Sequence, residues 1–176
     1  SPLYVKSAKG SKIIDVDNNM YLDFVSSLLA VNLGYNDNDV NKAVINQIKL
    51  GNIYTLPNEI EIQVSEKIVK LIPCAEMVRF GKNGADATSA AIRIARYHTK
   101  NDHILFCGYH GWHDWYIGST TRNYGIPKQV SSLSHNFLYN NIESLLKLIK
   151  RYKGNIAGII LEPANALSVS LSPNFI

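Results

Sequence analysis

Apolar and polar positions fall into two regimes along this chain: hairpin and loop over the first fifty residues, then alternating strands and helices. KIIDVDNNMYLDF predicts a short strand, a turn at Asp17–Asn19 and a second strand. Asx residues suit such a turn because they tolerate left-handed backbone and bond it locally. In DNDVNKAVINQIKLG, Val40, Ala43, Val44 and Ile48 follow helical spacing, and Gly51 marks a stop. A second helix is expected from Asn58, with Glu61 three residues on as in a capping box. Its apolar positions are Ile62, Val64, Ile68 and Leu71, and Pro73 ends it.

Beyond that point EMVRF, HILFC and IAGIIL read as strands, while ADATSAAIRIARYH and IESLLKLIKRYK read as helices. This alternation predicts an α/β fold with a mostly parallel sheet covered by helices. The expected division is a segment over 1–50 and a domain over 51–176. Three clear strands make a small parallel sheet, so that domain is expected to be incomplete.

Composition changes this picture little. Apolar residues make up 46% and charged residues 18%, as in ordinary soluble domains. No stretch is long and apolar enough for a membrane, and the start lacks a signal peptide's charged-then-apolar plan, so a cytoplasmic protein is expected. Cys74 and Cys107 form no spaced framework and are expected to be reduced. The net charge of +4 raises the question of nucleic acid. Yet Lys147, Lys150, Arg151 and Lys153 close a predicted helix, where cations complement its dipole, and no compact basic and aromatic motif appears. No nucleic-acid partner is expected.

Two stretches carry candidate chemistry. In RFGKNGADATSAAIRIAR a strand ends at Phe80, a tight turn spans Gly81–Gly84 and a helix is expected to open at Ala85. Free N–H groups and the positive dipole end make such a helix start an anion site. Gly84 permits close approach, and Asn83 can cap the helix. Ala87, Ala90, Ala91 and Ala95 are expected to form a small-residue face against the sheet. A capped turn with no ligand accounts for the same residues, and neither the nucleotide P-loop nor the GxGxxG pattern is matched.

The second stretch, CGYHGWHDWY, places His110 and His113 three apart beside Asp114, which invites a metal. Tyr109, Trp112, Trp115 and Tyr116 instead invite a flat ring. His-x-x-His on a loop lacks a third ligand at a known spacing, so no metal site is expected.

GADAT followed by GYHGWHDW after the next strand resembles the class III, fold-type I pyridoxal-phosphate aminotransferases, most of all their glutamate-1-semialdehyde aminomutase branch. IIDVDNNMYLDFVSSLLAVNLGY, LPNEIE and GIILEP are similar to that family's opening hairpin, the segment before its cofactor domain and its Glu-Pro strand end. The likeness runs over nearly the whole chain. It implies a small-domain segment followed by part of the large domain, pyridoxal 5'-phosphate as cofactor, and a homodimer. The implied reaction passes an amino group from an amino donor to a keto or aldehyde acceptor.

By the same resemblance, Gly84 and Ala85 offer backbone N–H groups to the cofactor phosphate with Asn83 beside them. Tyr109 stacks on the pyridine, His110 and Gly111 shape that turn, and Glu162 sits near the cofactor's polar edge. Ser27 and Leu28 fall where the family lines its substrate pocket. The family's anchoring lysine and its ring-nitrogen aspartate are implied to come later than residue 176, since Lys82 matches a different position. This chain alone is therefore expected to be inactive. Asn83–Asp86 replaces the family's Ser-Gly-Thr/Ala-Glu, and EPANALSV departs from the aminomutase pattern. Intramolecular amino transfer and a catalytically incompetent remnant stay open as alternatives.

Overall fold

Val5–Lys9 (β1), Lys12–Asp15 (β2) and Met20–Leu22 (β3) form an antiparallel sheet in chain order in the computed structural model, which describes residues 4–164. The expected strand–turn–strand is β2 and β3, and β1 is an addition to it. Asp15, buried, organises the turn. Its carboxylate accepts the Asp17 N–H at 3.0 Å, the Asn19 N–H at 2.8 Å, the Asn19 amide at 3.0 Å and the Tyr21 hydroxyl at 3.0 Å. The Asn19 amide, ahead of the other donors, holds the Asp15 carboxyl below its ordinary value.

A single turn follows, Ser26–Leu29 (α1), with φ of 51°, 50°, 56° and 68°. It is left-handed, which costs roughly 1–2 kcal/mol per L residue. Asp23 steadies its entrance, taking the Val25 N–H at 2.8 Å and the Tyr35 hydroxyl at 2.7 Å.

Asn38–Leu50 (α2) starts on Asp37, which accepts the N–H groups of Asp39 and Val40, and stops at Gly51, φ +113°. Glu59–Leu71 (α3) opens on the Asn58–Glu61 capping box that the spacing anticipates. Neither helix buries a residue. Contacts group these elements into one unit that ends at Glu76, and a second unit begins at Met77.

In the second unit, His103–Cys107 (β4), Ser134–Asn136 (β5) and Ile156–Leu161 (β6) form a parallel sheet ordered β5-β4-β6. Helices Gly84–Thr99 (α4) and Ile142–Arg151 (α7) accompany it, with the short Asp114–Ile117 (α5) and Lys128–Ser131 (α6). Alternating β4 side chains feed two clusters. Ile104 and Phe106 pack with Ile92, Trp115, Tyr116 and Ala157, while Leu105 and Cys107 pack with Phe137 and Leu145.

Three expectations need correction. EMVRF is not a strand: Met77–Phe80 joins no ladder among the described residues, and Met77 is fully open to solvent. An extended run becomes a strand only when a neighbour takes its hydrogen bonds, and Met77–Phe80 pairs with no strand of the β5-β4-β6 sheet. Helix α4 opens at Gly84 rather than Ala85, because Asn83 is the cap. Its sheet-facing stripe is Ala85, Ile92 and Ala95, whereas Ala87, Ala90 and Ala91 are exposed. A rotation of about 100° per residue puts positions seven and ten after Ala85 back on its side, and leaves the other alanines off it.

Cys74 is exposed, Cys107 is buried, and both are free thiols. No helix among the described residues is long and apolar enough to cross a membrane. The EPANALSV departure continues past Ala164, outside the described residues.

Candidate functional site

The start of α4 is built by its cap. Asn83, extended at φ −147° and ψ 171°, accepts the Asp86 N–H at 3.0 Å, and the Asp86 carboxylate takes the Asn83 N–H at 3.3 Å. The first-turn N–H groups of Gly84 and Ala85 are of the kind a helix cannot satisfy internally. They stand at the positive end of a 16-residue helix. A Cβ added to Gly84 would meet nothing within 4 Å, so the space before this turn is open.

The loop after β4 comes up against that start. Gly108 and Gly111 adopt φ of +94° and +103°, which side chains rarely tolerate. Space demands glycine as well. A Cβ on Gly111 would lie 2.7 Å from that of Ala85, and one on Gly108 would lie 2.6 Å from the Glu162 carboxylate. Glu162 Oε2 accepts the Tyr109 N–H at 3.0 Å, and Thr88 Oγ1 donates to the His110 carbonyl at 2.8 Å. The loop is thereby fastened to both β6 and α4.

His110 is buried. Its Nε2 lies 3.0 Å from the Cys107 carbonyl, which can only accept, so that nitrogen carries the proton. Burial pushes the His110 pKa down and favours the neutral ring. Trp115 stacks on it at 6.1 Å, and Tyr116 donates to the Gly108 carbonyl at 3.1 Å. The Tyr109 ring meets Tyr116 in a T-shaped pair at 5.8 Å, and the residue is 65% exposed, so part of its surface is available to a ligand.

These pieces enclose an open depression of about 460 Å³. Asn83, Gly84, Ala85 and Thr88 line it from α4, and Tyr109, His110, Gly111 and Trp112 line it from the loop. Six residues that the resemblance assigns to the cofactor's surroundings, Asn83, Gly84, Ala85, Tyr109, His110 and Gly111, thus meet in one hollow. Glu162 reaches it through the Tyr109 backbone. Ser27 and Leu28 belong to the other unit, where they line a depression with Asp23, Val25 and Tyr35. Thr88 was not anticipated as a lining residue, and Trp112 was named only among the four aromatics that invite a flat ring. Thr88 is legible only as the position one turn after Ala85. The second histidine of the loop, His113, faces Ser89 rather than His110.

The sequence profile of aminotransferase class-III matches residues 1–167. The chain belongs to the class-III aminotransferase family. This class-III chain is 39% identical over 163 residues to a 3-aminobutyryl-CoA aminotransferase of Cloacimonas acidaminovorans, covering 92% of itself and 39% of that protein. It is 42% identical over 171 residues to a glutamate-1-semialdehyde 2,1-aminomutase of Methanosphaera stadtmanae, covering 92% and 40%. An omega-transaminase of Sphaerobacter thermophilus superposes with a TM-score of 0.90 at 27% identity, over 99% of this chain and 44% of that one. The FumI protein of Sphingopyxis sp. MTA144, solved with PLP, does so with a TM-score of 0.89 at 30% identity, over 98% and 42%. The α/β arrangement is that of the transaminases, and the chain spans about two fifths of the length of the curated relatives it matches.

Proposed function

We propose that this chain carries the cofactor cradle of a pyridoxal-phosphate enzyme that moves an amino group from an amino donor to a keto or aldehyde acceptor. The observation that carries the reading is a single hollow joining an open helix start to an exposed tyrosine ring. A phosphate needs N–H donors and a positive field, and Gly84, Ala85 and the Asn83 amide offer them. A pyridine needs a flat partner, and Tyr109 offers one. The residues fit the group.

When bound, pyridoxal phosphate supplies an electron sink for chemistry next to an amino group. The chain's own residues bind and orient. Gly84 and Ala85 would hold the phosphate end, Tyr109 would stack on the ring, and Trp112 lines the mouth beside them. His110, neutral and tied to Cys107, keeps the turn rigid. Glu162 fixes the Tyr109 backbone and brings a carboxylate to the strand end. None of them anchors the cofactor covalently. No residue of 1–176 is assigned as the anchoring lysine or the ring-nitrogen aspartate, so the cradle is expected to bind without turnover.

The aminomutase relative at 42% identity supports a second version, in which the amino group moves within one molecule. A homodimer in the cytoplasm completes the proposal on family likeness, and sedimentation and fractionation test those two points.

Tyr109→Ala in the protein that carries this chain should weaken cofactor binding about two- to tenfold, on the size of one lost stacking contact, and lower its retention after desalting. Unchanged retention contradicts the platform. Borohydride treatment of this chain with pyridoxal phosphate should fix no single lysine. One uniquely modified lysine would overturn the placement of the anchor.

A further inference from the structure

We propose that Ser89, through His113, is a positioning residue that sets the spacing between the phosphate turn and the ring loop; this rests on the cofactor reading above. Ser89 stands on α4 one turn after Ala85, on the side that meets the loop, and does not line the hollow itself. Its Oγ accepts the Trp115 indole N–H at 3.1 Å and lies 2.7 Å from His113 Nδ1. An indole N–H only donates, so a serine lone pair is committed and the hydroxyl hydrogen is free to point at His113.

With that hydrogen donated to His113, Nδ1 is the acceptor and the His113 proton sits on Nε2. Nε2 lies 3.8 Å from Asp86 Oδ1, and Asp86 closes the capping box with Asn83. Hydrogen bonds therefore join Trp115, Ser89 and His113, and His113 faces Asp86, the partner of Asn83, across a 3.8 Å gap that is too long for a hydrogen bond. The set starts in the helix that ends the loop and finishes in the turn assigned to phosphate. Trp115 also stacks on His110, so the same set reaches the base of the ring platform.

The two halves of the hollow sit on different elements, and their separation decides which ligands reach both. A ligand that engages the turn and the platform at once gains from a fixed spacing, as any two-point ligand does. A ligand that touches one half gains nothing. Loosening Ser89 should thus penalise the two-point ligand selectively, which a general loss of structure would not do.

The test compares pyridoxamine phosphate, pyridoxamine and inorganic phosphate as ligands of the full chain by calorimetry. Pyridoxamine phosphate has no aldehyde, so surface lysines do not react with it. Ser89→Ala should weaken pyridoxamine phosphate about tenfold, the scale of one lost hydrogen bond in a relay, and leave the other two within about twofold. Ser89→Thr, which keeps the hydroxyl, should restore most of the affinity, and the Trp115 emission should shift in Ser89→Ala only. An unchanged affinity in Ser89→Ala, or an equal loss of all three ligands, overturns the inference alone. If the unaltered chain binds pyridoxamine phosphate no better than phosphate, the cofactor reading falls first and takes the inference with it.

Discussion

The two units open their helices with the same device and differ in what holds those helices afterwards. Asn58 with Glu61 starts α3, and Asn83 with Asp86 starts α4, each as a complete capping box. Among the described residues, however, every buried apolar side chain lies in the second unit, and the only buried residue of the first is Asp15. Val44, Ile45 and Ile48 of α2 stay exposed, while Ile92 of α4 is buried against Ile104 and Phe106. A cap decides where a helix begins. Packing of its apolar face decides how firmly it is held.

The largest effect that tests this contrast is a core truncation. Phe106→Ala should destabilise the second unit by about 3–5 kcal/mol, whereas Ile48→Ala should cost under about 0.5 kcal/mol. Urea unfolding followed by segment-resolved hydrogen exchange measures both, and equal losses would erase the distinction. Gly111→Ala comes next, at roughly 1–3 kcal/mol, because it meets both a positive φ and the Ala85 side chain. Gly84→Ala, with open space before it, should be nearly neutral for stability. Caps should behave alike in both units: Asn58→Ala and Asn83→Ala each cost about 1 kcal/mol by helix-resolved exchange. A large difference between them would mean that the caps are not local devices.

A further effect is an acid one, confined to the second unit. His135 Nε2 pairs with His103 Nδ1 at 2.9 Å, and its ring lies on Tyr152 at 3.9 Å. Burial first, then His103 and Arg151, push the His135 pKa from 6.5 down to about 4. The unfolded chain therefore takes the proton before the folded one does. This contribution to stability is complete above the unfolded value and is lost as pH falls from 6.5 towards 4. His135→Asn should flatten the pH dependence in that window, and an unchanged slope would assign it elsewhere.

Much of this was legible because it is local. The Asn58–Glu61 capping box, the Gly51 stop, β4, β6 and α7 follow from spacing alone, whereas the Asn83–Asp86 box emerged only with the structure. The residues of the hollow were legible for a related reason, since a helix start and a glycine-flanked aromatic loop each announce themselves in a few positions. What escaped the sequence is what distant partners decide. Met77–Phe80 has a strand's composition but no partner strand among the described residues, and the short β5 has its ladder only with β4. The exposed alanines of α4 have helical spacing, yet Ile92 fixes which side faces the sheet. Ser89 and His113 come together across 24 positions, which no local pattern reports.

The central claim is that the α4 start and the Tyr109 loop together receive a phosphorylated pyridine. Titrating this chain and its Gly84→Val variant with pyridoxamine phosphate tests it most directly, because a side chain there enters the open space without touching the core. The account predicts saturable binding by the unaltered chain and at least about a tenfold loss in the variant, with unfolding stability nearly unchanged. Equal affinity in the two proteins would contradict it.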